Sequence, residues 1–198
     1  MKSLYDFIVT PFEDRYNNVK NVNGKDLIIN TTIENHKFVS KKAVVVSTPA
    51  AFKTKVKIGD LVYVHHNLFR RWYDQKGRER NSSTYFKDNL YFCTPEQIYM
   101  YNNKSHLEYC FVKPIKSVNG FNASKEREHF GILKYSNKSL ERVGLKPGAL
   151  VAFTPNSEFE FIIGDDRLYC MKSNDIAITD EHEGNEKEYN PSWAKGSN

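Results

Sequence analysis

No apolar run in this 198-residue chain approaches the ~20 residues that a membrane-spanning helix needs. The first residues, Met1-Lys2-Ser3-Leu4-Tyr5-Asp6, are too polar for a secretion signal. No membrane association is expected, and the expected location is the cytoplasm. Cysteine is scarce. Cys93, Cys110 and Cys170 are far apart, odd in number and free of C-x-x-C spacing, which argues against a disulfide framework and a thiolate zinc site. Each sits among Tyr, Phe or Met and reads as a small buried thiol. With only 10 Gly and 7 Pro, the chain is neither collagen-like nor of low complexity. A phosphate-cradling glycine loop, a nucleophile elbow and a Cys/His dyad are all missing. His65-His66 lacks a third ligand, and neighbours on a strand point to opposite faces. Glu158 and Glu160 share a strand face without any pocket signature. No catalysis, metal or cofactor is therefore expected.

Aromatics are plentiful, with 12 Tyr and 13 Phe, which favours a packed core over disorder. The net charge of +5 is unevenly spread. Arg70, Arg71, Lys76, Arg78, Arg80 and Lys87 outnumber Asp74 and Glu79 in one stretch. Acids dominate from Thr179 onward. Such clustering points to local patches rather than a general polyanion binder. Short β-rich runs recur between turn signals: Tyr5–Val9, Ala43–Val46, Leu61–Val64 and Leu90–Cys93. They predict an all-β chain with strands at barrel- or sandwich-like spacing. Only Ser136–Val143 and Pro95–Met100 resemble helix, and both are brief.

The strongest feature is an internal repeat. Val56-Lys57-Ile58-Gly59-Asp60-Leu61-Val62-Tyr63-Val64 matches Leu145-Lys146-Pro147-Gly148-Ala149-Leu150-Val151-Ala152-Phe153. Asp88-Asn89-Leu90-Tyr91-Phe92-Cys93 matches Asp166-Arg167-Leu168-Tyr169-Cys170-Met171. Ile98 and Ile176 each follow eight residues after the Leu of that second match. The glycine fits a positive-φ turn, and the alternation after it buries one face of the next strand. Two tandem units follow, meeting near Asn102-Asn103-Lys104-Ser105.

This ordered pattern resembles the GroES-like co-chaperonin family. Val56–Val62 is similar to that family's V-K-x-G-D-x-V turn and strand. Ser173–Ile178 is similar to its closing strand, and Phe7-Ile8-Val9-Thr10-Pro11 stands where its opening strand should be. The likeness is closest to the divergent phage-encoded members, here in double form. It implies two small β-barrels: residues 1–103, with a mobile-loop candidate and a roof-like inserted hairpin, and residues 106–180, shorter. A flexible acidic tail, 181–198, would follow. It also implies a protein-folding role as a homo-oligomeric ring that caps the ring of a large chaperonin, in a host cytoplasm if phage-encoded. The contact would be made by Leu27, Ile28 and Ile29, which follow Gly24 where the family carries its hydrophobic loop triplet. This chain has one glycine there where the family has several. The same triplet also fits a core strand. The second copy's equivalent stretch, Asn119–Glu128, is polar and lacks a triplet.

The first copy is longer between its glycine turn and its Leu-Tyr strand. The extra residues, His65–Asn81, suggest a hairpin with Asp74-Gln75-Lys76-Gly77 at its tip. Arg70, Arg71, Arg78 and Arg80, interleaved with Phe69, Trp72 and Tyr73, also suit single-stranded nucleic acid on a β-barrel, since Arg neutralises phosphate and rings stack on bases. A third reading is a virion structural or assembly protein that uses the same barrels for protein contacts. In the tail, Trp193 is the expected anchor to another subunit.

Overall fold

A computed structural model describes residues 2–117, 126–180, 184 and 186–194. The chain is all-β and divides into two compact units, 1–102 and 103–198. The first contains β1 (Phe7–Pro11), β2 (Val19–Val22), β3 (Lys25–Ile28), β4 (Lys42–Ser47), β5 (Leu61–Val64), β6 (Arg71–Tyr73), β7 (Glu79–Asn81), β8 (Tyr85–Lys87), β9 (Leu90–Cys93) and β10 (Ile98–Tyr101), and β11 (Lys104–Ser105) follows. The second contains β12 (Tyr109–Lys116), β13 (Glu126–Tyr135), the short helix α1 (Lys138–Arg142), β14 (Leu150–Phe153), β15 (Phe159–Ile163), β16 (Asp166–Lys172) and β17 (Ile176–Asp180). Helix thus falls inside Ser136–Val143, while Pro95–Gln97 forms one 3-10 turn that runs straight into β10.

The two sheets share one plan. The first runs β11-β10-β5-β4-β1-β9-β8 and the second β17-β14-β13-β12-β16-β15. Apart from β11 they agree strand for strand, and all their ladders are antiparallel. Even the irregularities agree. β1 and β12 each shift register just before Val9 and Val112, then reach Pro11 and Pro114. The last ladder of each unit skips one residue, between Ile98 and Met100 in one and between Ile176 and Ile178 in the other. A bulge fixes register and twist, so a shared bulge is stronger evidence of a repeat than a shared residue type.

Gly59 and Gly148 hold φ of 87° and 97°. Each donates its N–H to the preceding strand, to the Val45 and Leu133 carbonyls, at 2.8 Å in both units. The inner face of each sheet makes a core of its own. Equivalent core positions exchange size. Phe7 stands where the second unit has Cys110, while Val64 and Cys93 stand where it has Phe153 and Met171. One bulky residue lost is offset by two gained, so that each core fills. Among the described residues no ladder joins the two outer strands of either sheet.

The tail differs from the flexible segment expected at 181–198. Residues 181–183, 185 and 195–198 lie outside the described residues. The stretch 187–194, however, is held against the second unit. Lys116 and Tyr189 donate backbone N–H groups to the Lys187 and Pro114 carbonyls at 2.8 Å, and Glu188 bridges Ile115. Ala194 is fully buried and Ile115 is 1 % exposed. The acids alone suggested a solvated tail; its backbone groups and small apolar residues dock it instead. Trp193, expected to reach another subunit, has the Arg167 guanidinium of its own chain 5.8 Å from its ring centre.

Candidate functional site

The stretch Tyr16–Val39 leaves the first sheet and returns to it. Its ends are pinned in the core by Tyr16 and Val39, which bridge each other. The Tyr16 hydroxyl donates to the Ile33 carbonyl at 2.7 Å. Beyond that base, β2 and β3 pair as a hairpin through Asn23-Gly24. The φ values of 52° and 79° are those of a two-residue turn that suits Asn-Gly. Asn21 holds the turn, its Oδ1 accepting from Gly24 N–H at 3.1 Å and its Nδ2 donating to Asp26 Oδ1 at 2.8 Å.

On this hairpin lies the expected contact triplet. Leu27 and Ile28 end β3 and Ile29 follows, with exposures of 57 %, 64 % and 46 %. The triplet is outside the core. The register places Val19 opposite Ile28, on one face, and leaves Leu27 on the other. Val19 and Val22 are exposed as well. Both faces of the hairpin thus carry exposed aliphatic side chains. The sequence suggested a loop; the Asn-Gly turn and ladder make it a preformed hairpin. The stretch Asn119–Asn122 and its neighbours up to 125, the second copy's counterpart, lie outside the described residues.

The basic–aromatic insertion folds as a second hairpin, β6–β7, with the expected tip at Asp74–Gly77. Its charges are largely matched within it. Asp74 Oδ2 accepts from Arg78 and Arg80 at 3.1 and 3.0 Å, and Arg71 pairs with Glu79 at 2.7 Å. Hydrogen bonds, led by the Arg78 backbone N–H, lower the Asp74 pKa, so this carboxylate stays charged. Trp72 is 46 % exposed, its indole N–H donating to the Asn81 carbonyl at 3.1 Å. Tyr73 is exposed too. Arg70 is part-buried, and its Nε lacks a partner among the described residues. A phosphate chain would therefore compete with internal carboxylates for Arg71, Arg78 and Arg80.

His65 and His66 depart from the strand geometry assumed for them. β5 ends at Val64, so the alternation of faces stops there and the two rings stack at 4.3 Å. His65 Nδ1 accepts the Asn67 N–H at 3.1 Å. Burial lowers the His66 pKa to about 4, helped by His65, His36, Lys41 and Arg70. Among the described residues no three His, Cys, Asp or Glu side chains gather for a metal. All three cysteines are buried free thiols, and burial raises each pKa, that of Cys110 to about 12.

One cluster had no forecast. Arg167, only 10 % exposed at its side chain, donates Nε to Glu160 at 2.7 Å, Nη1 to Glu126 at 2.5 Å and Nη2 to the Tyr169 hydroxyl at 2.7 Å. Tyr169 donates in turn to Glu126 at 2.6 Å. The repeat alignment held a hint, since Arg167 stands where the first copy has Asn89. The first unit supplies an arginine from elsewhere: Arg15 lies 5.3 Å from the ring centre of Tyr91, the residue equivalent to Tyr169. Compared with known proteins, the chain matches no family model and no curated sequence.

Proposed function

We propose that this chain is a co-chaperonin of the GroES-like kind, two barrel-like units in tandem, that caps a large chaperonin ring as a homo-oligomer and assists protein folding without chemistry of its own. The observation that carries this reading is the β2–β3 hairpin, which projects Leu27, Ile28 and Ile29 into solvent from a repeated β scaffold. Exposed aliphatic clusters mark binding surfaces. Burying one such side chain is worth about 1.5–3 kcal/mol. Ordering a floppy loop costs about 1–2 kcal/mol per residue. The preformed ladder has already met most of that cost. Several hairpins on one ring would then bind together through high effective concentration. ATP hydrolysis would belong to the partner ring.

The nucleic-acid reading is weakened by Asp74 and Glu79, which hold three of its arginines. Among the described residues no helix is long and apolar enough to cross a membrane. A cytoplasmic setting, a host's if the gene is a phage's, belongs to the same proposal.

The deciding measurement is the native mass of the protein with and without a chaperonin ring plus nucleotide. The wild-type chain should co-migrate with the ring. The triple variant Leu27→Ser, Ile28→Ser, Ile29→Ser should fold with an unchanged melting temperature and lose co-migration. Retained co-migration by the variant rejects the contact residues, and none by the wild type rejects the function.

A further inference from the structure

A cleft of about 290 Å³ opens on the second unit, lined by Glu126, Glu128, Arg167, Tyr189, Pro191 and Trp193. Among the described residues, half of its lining comes from the docked tail. That wall is fixed in place. Asn190 accepts the Arg167 backbone N–H at 3.1 Å and donates to the Asp165 carbonyl at 2.8 Å, and Ala194 is fully buried just beyond.

The chemistry of the lining selects among ligands. Every nitrogen of the Arg167 guanidinium is already engaged, by Glu160, Glu126 and Tyr169. An anion would have to compete with these partners and would meet carboxylates. Among the described lining residues Glu126 and Glu128 outnumber the single guanidinium, which Glu160 also pairs from beside the cleft, and Glu128 is exposed with no partner among the described residues. Tyr189, Pro191 and Trp193 offer apolar walls, and the Trp193 ring is 55 % exposed. A neutral polyol would gain little from the excess negative charge. An extended alkyl chain ending in a cation gains from both features: its stem packs on the rings while its head meets a carboxylate and an aromatic face. The volume is close to the lower end for small-ligand sites.

We propose that this cleft binds an alkyl ammonium or guanidinium group, carried by a lysine or arginine side chain of a protein or by a free polyamine. The site shares no residue with the β2–β3 hairpin and stands whether or not a chaperonin is the partner.

The test uses Trp193 as its own reporter. The chain has 2 Trp, so Trp72→Phe leaves Trp193 as the sole indole in the full-length protein. Its fluorescence is titrated with spermidine, with a tetralysine peptide and with the neutral N-acetyl-norleucine amide. Both cations should give a saturable change in the millimolar range or tighter, and the neutral amide none. Glu128→Gln should weaken cation binding about two- to fivefold, the usual scale of one exposed charge pair. Tighter binding of the peptide assigns the natural occupant to a protein side chain; tighter binding of spermidine assigns it to a polyamine. No saturable response, an equal response to the neutral amide, or an unchanged affinity in Glu128→Gln overturns the site.

Discussion

At the scale of single residues, backbone demands and burial leave testable marks. Gly131 is the clearest. A Cβ built there would lie 2.5 Å from the Lys113 carbonyl oxygen and 2.5 Å from Val112 Cγ1. The equivalent position of the first unit is Ala43, so the two repeats part company here on strand spacing alone. Gly131→Ala should cost about 1–3 kcal/mol, the range for forcing an extra methyl into packed structure. Urea unfolding checks it, and Ala43→Gly in the first unit should lose far less than a steric clash would. His66 sets a pH dependence. Its folded pKa of about 4 lies below the ordinary 6.5, so between these values the unfolded chain binds the proton and the folded one does not. Stability should be full above pH 6.5 and decline as pH falls toward 4. His65, whose pKa burial also lowers, acts in the same direction. The decline should be roughly 1–2 kcal/mol once solvent screening of a half-exposed ring is allowed for. His66→Gln should flatten that part of the curve measured by denaturant midpoint against pH.

At the scale of elements, the two hairpins of the first unit show how alike sequences separate by their turns and charges. Asn23-Gly24 closes β2–β3 on a turn that only small or Asn-like residues adopt easily. Asp74 gathers the tip of β6–β7 by accepting from two arginines and from the Lys76 and Arg78 backbones. Gly24→Val should disturb the β2–β3 turn by about 1–2 kcal/mol, since a β-branched residue resists φ near 79°. Because the hairpin tip adds nothing to the core, the global melting temperature should stay within a degree or so. Affinity for a chaperonin ring should nonetheless fall, because ordering must then be met on binding. An unchanged affinity at equal hairpin loss, read by amide exchange over 19–28, would remove preorganisation from the account. The expected loop and the observed hairpin differ for a simple reason. Leu27-Ile28-Ile29 beside a polar stretch fits loop or strand equally, and it is pairing with Val19–Val22 that selects the strand.

At the scale of the whole molecule, each unit has its own apolar cluster and, apart from the two-residue β11, its own sheet. Fragments 1–102 and 103–198 should therefore each unfold cooperatively when expressed alone. A second-unit fragment ending at residue 185 should be destabilised by roughly 2–4 kcal/mol, because Ile115 and the Arg167 cluster lose the segment that covers them; denaturation of the three fragments measures it. The all-β class, the duplicated unit and the tip of the β6–β7 hairpin were legible in the chain, because glycine at positive φ, turn residues and apolar alternation are local demands of the backbone. The sequence did not reveal that Phe7 and Cys110, or Val64 and Phe153, hold one place in two cores. Volume is balanced only across a filled interior, so no position carries the signal by itself. Nor did it reveal the docked tail, or the Arg167 cluster with its cleft. Those arise from residues up to 75 positions apart, Pro114 to Tyr189, and such a meeting is fixed by how strands pack, not by what stands next to what along the chain.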